Sequence, residues 1–193
     1  MPHEGFSILH RWAQAKRHGA FVFTSNVDGQ FERAGFSEER VHACHGSLLY
    51  AQCTASCGAG IFAADFEVQV DPERFRALPP LPACPACGAL ARPNVLMFDD
   101  WEWDSERAEA SGARLEAWLQ RVGAAKVAVI ELGAGTRVPT VRAFGERVAR
   151  LLPVARLIRI NLREPQIPPP GLALATTALE ALRAIDARIS SSR

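Results

Sequence analysis

No apolar run in this sequence comes near the roughly 20 residues needed to cross a bilayer. The best one, Lys126 to Leu132, is the length of a strand, so no membrane span and no membrane partner are expected. Charge of one sign is not in excess either. The 22 Lys and Arg against 21 Asp and Glu leave a formal net charge of +1, which gives no electrostatic footprint for nucleic acid or an anionic surface. The opening Met-Pro-His-Glu-Gly-Phe lacks the basic-then-apolar order of a secretory leader, so the expected compartment is the cytoplasm. Internal repeats are absent too. What remains is an ordinary globular composition, 48% hydrophobic and 22% charged over 193 residues. That length holds one domain, with room for a small inserted module. In a reducing compartment, clustered cysteines point to metal ligation before disulfides.

Along the chain, strand and helix patterns alternate. Phe6 to His18 has helical apolar spacing, and Ala20 to Thr24 reads as a short buried strand that ends at a polar turn. Residues 46–97 change character, with cysteines, prolines and little helical periodicity, and read as an inserted module. Helical patterns return at 105–121 and 141–152. Lys126 to Leu132 and Ala155 to Asn161 are strand-like, and a proline-rich connector precedes a final helix over 173–188. The expected fold class is α/β, a Rossmann-like parallel sheet with helices on both faces plus a small inserted zinc-ribbon module. The expected division is 1–45 with 98–193 for the Rossmann-like part and 46–97 for the module.

Cys53 and Cys57 form one close cysteine pair, and Cys84 and Cys87 another. Zinc takes four ligands at tetrahedral corners, and two short cysteine turns facing each other close such a site. Pro85 stiffens the second turn, and Gly88 accepts the positive φ that wrapping a metal requires. Structural Zn²⁺ is the expected occupant; the alternatives are four unrelated buried thiols or a redox pair at Cys84 and Cys87. A site closed by four cysteines leaves out Cys44 and His45.

A lone histidine is more often structural than catalytic, and His3, His10, His18 and His42 are read so. His45 has different company. In parallel sheets ligands bind beyond the carboxyl ends of the strands, and Ser25-Asn26-Val27-Asp28-Gly29, Gly133 to Thr136 and Asn161 all stand at expected strand ends. Together they describe a cleft for a polar ligand between sheet and module. Gly133-Ala134-Gly135 is not a full dinucleotide fingerprint, since Val138 occupies the third glycine position.

In order, Thr24 to Gly35, His45-Gly46-Ser47, the two cysteine pairs, Arg92 to Phe98, Gly133 to Pro139 and Ile160-Asn161 resemble the sirtuin family of NAD-dependent protein deacylases. The resemblance runs from about residue 20 to 165. It implies that NAD and an acyl-lysine peptide meet between a Rossmann-like domain and a zinc-ribbon module. His45 resembles the family's general base, with Asn26 and Asp28 lining the nicotinamide and ribose end. For the cofactor, the resemblance implies contacts from Ser25, Asn26, Asp28, Gly133, Ala134, Gly135, Thr136 and Asn161. For the substrate it implies Val95, Leu96, Met97 and Phe98, along which a peptide adds as a strand. A histidine titrates near neutrality and suits this proton transfer.

The match has departures. Ser25 stands where the family has glutamine, Ala134-Gly135 replaces Thr-Ser, and Asp99-Asp100 replaces Gly-Glu. The strand and Gly-Ala-Gly-x-Ser turn that the family carries ahead of its Asn-x-Asp motif, where backbone amides cradle the pyrophosphate, are not found before Asn26. The resemblance therefore implies an N-terminally incomplete sheet with unpaired neighbouring edges. Three functions follow as expectations: a deacylase releasing nicotinamide and O-acyl-ADP-ribose, a catalytically impaired module that binds peptide or partner protein, or an NAD-dependent ADP-ribosyltransferase.

Overall fold

A computed structural model of the chain describes residues 1–191. Helix α1 (Glu4–Gln14) is capped by His3, whose Nδ1 accepts the Gly5 N–H over 3.0 Å. The helical pattern had suggested an end at His18. The helix stops earlier because apolar spacing ends at Ala13, and the basic stretch closes in a turn where Gly19 N–H donates to the Lys16 carbonyl. Strand β1 (Val22–Thr24) leads through the Ser25–Gly29 loop into the short α2 (Gln30–Arg33). A single 3-10 turn, Glu38–Arg40, precedes β2 (Val41–Ala43), which runs parallel to β1 with Val22 opposite Val41 and Thr24 opposite Ala43. Three residues of mixed polarity had not marked β2 out in the sequence.

The chain then enters a β-rich stretch. Strand β3 (Gly46–Cys53) lies antiparallel between β4 (Ile61–Ala63) and β7 (Ala91–Val95), and β5 (Val70–Asp71) pairs with β6 (Arg76–Ala77) in a separate hairpin. Buried Asn94 and Gln52 lock this sheet to the following loop. The Asn94 amide donates to Gln52 Oε1 over 3.0 Å and to the Asp104 carbonyl over 2.8 Å, while the Gln52 amide donates to the Glu102 carbonyl over 2.7 Å. Buried amides need such partners, because an unmet one costs about 1–3 kcal/mol.

Helix α3 (Glu106–Arg121), β8 (Val127–Leu132), α4 (Thr140–Leu151) and β9 (Ala155–Ile160) follow the alternation read from the sequence. The last segment differs from its expectation. Residues 172–174 form β10 (Leu172–Leu174), parallel to β9, and helix α5 (Ala178–Ser191) starts only afterwards. Glu180 accepts hydrogen bonds from the Thr177 N–H and hydroxyl, fixing that start; pairing with β9 outweighs the helical pattern upstream of it.

The parallel strands form two sheets, β1–β2 and β10–β9–β8. Among the described residues β1 and β8 share no strand pairing, so side chains join the two sheets. Leu115, Trp118 and Val122 of α3 and its end form a core with Phe21, Phe23, Val127 and Phe144. The rings of Phe23 and Phe144 stack at 3.9 Å with planes 4° apart. A second cluster, Val148, Leu152 and Ala155, seats α4 on β8 and β9. Helices α1 and α5 pair, with the Trp12 indole donating to Asp186 over 2.8 Å. No helix among the described residues is long and apolar enough to cross a membrane.

Beneath the last cluster lies a buried ion pair. Arg159, 1% exposed, donates from Nε to Glu131 Oε1 over 2.5 Å and from Nη2 to Glu131 Oε2 over 3.0 Å, and it also reaches Glu146 over 2.9 Å. Glu131 and Arg159 are opposite one another in the β8–β9 register, so the pair aligns the two strand ends that follow.

Candidate functional site

Because β1 and β2 are parallel, the segments after them emerge at the same end. Cys44 N–H donates to the Thr24 carbonyl over 2.9 Å, and Leu48 N–H donates to the Val27 carbonyl over 2.8 Å. The Ser25–Gly29 loop is thereby stitched to the segment that holds His45. Asn26 and Asp28 are exposed there, with Ser25 and His45 half-buried. Asp28 also accepts the Gln30 N–H over 3.2 Å at the start of α2. Gly29, at φ +65, lets the loop pass Leu49, whose Cδ1 would lie 2.7 Å from an added Cβ.

His45 meets the segment predicted for substrate through its backbone. Leu96 N–H donates to the His45 carbonyl over 3.0 Å, and Gly46 pairs with Val95. Beyond Val95 the chain exposes Leu96, Met97 and Phe98, the last at 90%. This exposed turn is bracketed by Arg92 and Asp100. The guanidinium donates to both carboxylate oxygens and, over 2.9 Å, to the Val95 carbonyl. The Arg92 hydrogen bonds hold the Asp100 carboxyl down at about 2. The bracket was invisible in the sequence, where Asp100 registered only as a departure from the family pattern.

Gly133, Ala134, Gly135 and Thr136 follow β8, and Asn161 follows β9. The Asn161 amide donates to the Ala134 carbonyl over 2.9 Å, joining the two turns. Glu164, which sequence reasoning passed over, accepts from Thr136 N–H over 3.0 Å and from its hydroxyl over 2.6 Å. Those hydrogen bonds lower the Glu164 pKa. The signal was present in the spacing: Asn161 Oδ1 accepts the Glu164 N–H over 2.9 Å, a local asparagine turn. The predicted residues thus gather in two groups, Ser25–Asp28 with His45 and Val95–Phe98, and Gly133–Thr136 with Asn161. Among the described residues no hydrogen bond joins one group to the other.

The four cysteines of the two pairs converge. The sulfurs of Cys53, Cys57, Cys84 and Cys87 all lie within 4.8 Å of one another, with Cys53 to Cys87 and Cys57 to Cys84 each at 3.6 Å. A tetrahedron with Zn–S near 2.3 Å has sulfur–sulfur edges of about 3.8 Å, so the cluster fits structural Zn²⁺. The Ala55 N–H, 3.3 Å from its sulfur, brings the Cys53 thiol down to about 7, and N–H groups of Cys87 and Ala86 lower that of Cys84. These N–H groups thus favour the deprotonated form of one sulfur in each pair. Cys57 moves the other way: its Ala59 N–H pulls it down, but hydrogen bonds with Cys87, Cys53 and Cys84 push it up to about 12. A metal would replace that shared proton. Cys44 stands apart, half-buried, its thiol pushed up to about 11 by burial, which makes it a poor nucleophile.

The Sir2 family model matches residues 1–116 of the chain. The chain belongs to the Sir2 family. Among curated relatives, this Sir2-family chain is 40% identical over 98 residues to NAD-dependent protein deacylase 1 of Archaeoglobus fulgidus, covering 51% of this chain and 34% of that protein. It is 29% identical over 147 residues to a probable bifunctional ADP-ribose hydrolase/ADP-ribosyltransferase of Fusarium oxysporum f. sp. cubense, covering 70% of this chain and 24% of that protein. The chain thus spans about a third of the deacylase it matches. In fold it is similar to a Sir2 homologue mutant bound to ADP-ribose, with a TM-score of 0.65, 23% identity and coverage of 99% of this chain and 68% of that one. The parallel strands, covering helices and four-cysteine module are the Rossmann-like α/β architecture with a zinc-fitting insertion.

Proposed function

We propose that this Sir2-family chain serves NAD-dependent deacylation of lysine side chains, with NAD as co-substrate. The carrying observation is the placement of His45, just after β2 in the segment hydrogen-bonded to the loop that carries Asn26 and Asp28, and bonded through its own backbone to Leu96 of the exposed segment. In this reading the acyl oxygen first displaces nicotinamide from the ribose; His45 then takes the proton from a ribose hydroxyl as that oxygen attacks the acyl carbon, and with addition of water the lysine amine and O-acyl-ADP-ribose are released. Asn26, Asp28 and Ser25 line the nicotinamide end. The turns holding Gly133 to Thr136 and Asn161 receive the adenosine end. An acyl-lysine protein or peptide lies as a strand along Val95 to Phe98, held by backbone hydrogen bonds that tolerate many sequences. The division into 1–45 with 98–193 and a module at 46–97 belongs to the same proposal, the zinc holding the module's shape and leaving no open position for chemistry.

The test is nicotinamide release from NAD with and without an acetyl-lysine peptide. Release that requires the peptide and disappears in His45→Ala, with zinc content unchanged, supports the reading. The similarity to the Fusarium protein supports a second reading, ADP-ribosyl transfer; labelled ADP-ribose arriving on protein without deacylation would select it. Peptide binding with no NAD turnover leaves a binding module.

A further inference from the structure

At the other end of the strands from His45 lies a cleft of about 670 Å³, lined among others by His10, Arg17, His18, Arg40, Trp118 and Arg121. Its place follows from topology. Residues 17–20 run into β1, residues 36–40 run into β2, and Arg121 ends α3 ahead of β8. Every contributor precedes a strand, whereas Asn26, Asp28 and His45 follow one. The length of β1 and β2, about 10 Å, separates the cleft from the proposed reaction site.

The cleft is cationic and has no carboxylate in its lining. Arg17, Arg40 and Arg121 enter no salt bridge among the described residues, a state they share with several surface arginines, but only these three line one cleft together. Basic groups near helix C-termini complement the helix dipole by about 0.3–1 kcal/mol, which accounts for Arg17 and Arg121 near the ends of α1 and α3. Arg40 needs another explanation, because its Nη1 is shielded from solvent with no hydrogen-bond partner. A guanidinium N–H removed from water without an acceptor is unfavourable. Phe36 and Trp118 offer none: both are largely buried, and the Trp118 indole is itself a donor, to the His18 carbonyl over 3.1 Å.

We infer that this cleft binds a phosphate-bearing small molecule, with Arg40 donating to its phosphate oxygens and Arg17 and Arg121 balancing the remaining charge. Guanidinium groups match paired phosphate oxygens in geometry and stay charged at all working pH values. A monocarboxylate would leave most of this positive charge unmet. The volume lies in the range of small-molecule sites. The inference stands apart from the deacylase proposal, since it uses none of that site's residues.

The test is thermal stability and calorimetric titration of the full chain with sodium pyrophosphate at constant ionic strength, which removes general screening. The expected result is a saturable rise in Tm and an affinity about tenfold weaker in Arg40→Gln, the loss of one charge-assisted hydrogen bond. Arg121→Gln, at an exposed position, weakens binding as well and keeps the test open if the Arg40 variant fails to fold. Arg74→Gln, on the distant hairpin, leaves it unchanged. Adenosine diphosphate binding more tightly than pyrophosphate identifies a nucleotide ligand, and equal affinity identifies an inorganic one; both support the site. No saturable shift, equal binding in Arg40→Gln and Arg121→Gln, or loss of binding in Asn161→Ala would overturn it. So would a glutamate oligopeptide that binds as strongly as pyrophosphate, which would make the cleft a surface for acidic protein segments.

Discussion

The Leu96 N–H donates to the His45 carbonyl over 3.0 Å, so the histidine proposed as base and the segment proposed to receive substrate are held in one backbone register. Gly46 makes this approach sterically feasible. Its φ is +82, and a Cβ there would stand 2.1 Å from the Asn94 carbonyl oxygen.

Gly46→Ala is accordingly expected to destabilise the fold by about 1–3 kcal/mol or more, combining left-handed strain with a clash against backbone. Urea denaturation measures this directly; an unchanged midpoint with an unchanged slope would contradict it.

Purified protein is expected to carry zinc at one ion per chain, and Cys87→Ala to lower that content and the Tm together. Cys44→Ala lies outside the cluster and is expected to retain the metal. Elemental analysis distinguishes the two variants, and wild-type protein free of zinc would sink the four-cysteine site.

Breaking the β8–β9 ion pair by removing Arg159 leaves the buried Glu131 carboxylate with only the looser contact to Arg142, 3.9 Å away. Arg159→Met is expected to cost about 3–5 kcal/mol. Combining it with Glu131→Gln should recover part of that loss, as a double-mutant cycle in chemical denaturation reads. Strictly additive losses would show that the two side chains do not act on each other.

Burial, and then the charge of Arg114, lowers the pKa of His42, whose Nδ1 lies 2.7 Å from Ser111 Oγ. A histidine depressed in the folded state contributes stability that is fully present above its unfolded pKa, about 6.5, and is lost as pH falls through the folded value. Unfolding free energy is expected to drop between pH 7.5 and 5.5, and His42→Gln to flatten that slope. A slope identical in the variant would remove His42 from the account.

Sequence pattern made the long elements legible where apolar periodicity was strong: α3, β8, α4 and β9 fall close to their expected spans. The metal site was legible for the same kind of reason, because two close cysteine pairs constrain geometry by spacing alone. Short elements were not. Strands β2 and β10 have three residues each, too few for a period to register, and both exist through pairing with a distant neighbour. The partners of site residues were equally hidden. Nothing local announces that Asp100 would bracket the exposed turn through Arg92, or that the Glu164 carboxylate would occupy the donors of Thr136. Those contacts depend on how the strand ends come together in space.

The ring stack of Phe23 on Phe144 gives the molecule a seam. No strand hydrogen bond crosses it among the described residues, but Leu115, Trp118 and Val122 of α3 pack against aromatic and aliphatic side chains from both sides, and parting those faces would expose apolar surface at about 25 cal/mol per Å². The β1–β2 half, carrying the histidine, and the β8–β9–β10 half, carrying the glycine turn, are therefore held as one unit by packing alone. Isotope exchange is expected to show one cooperative protection level across the seam.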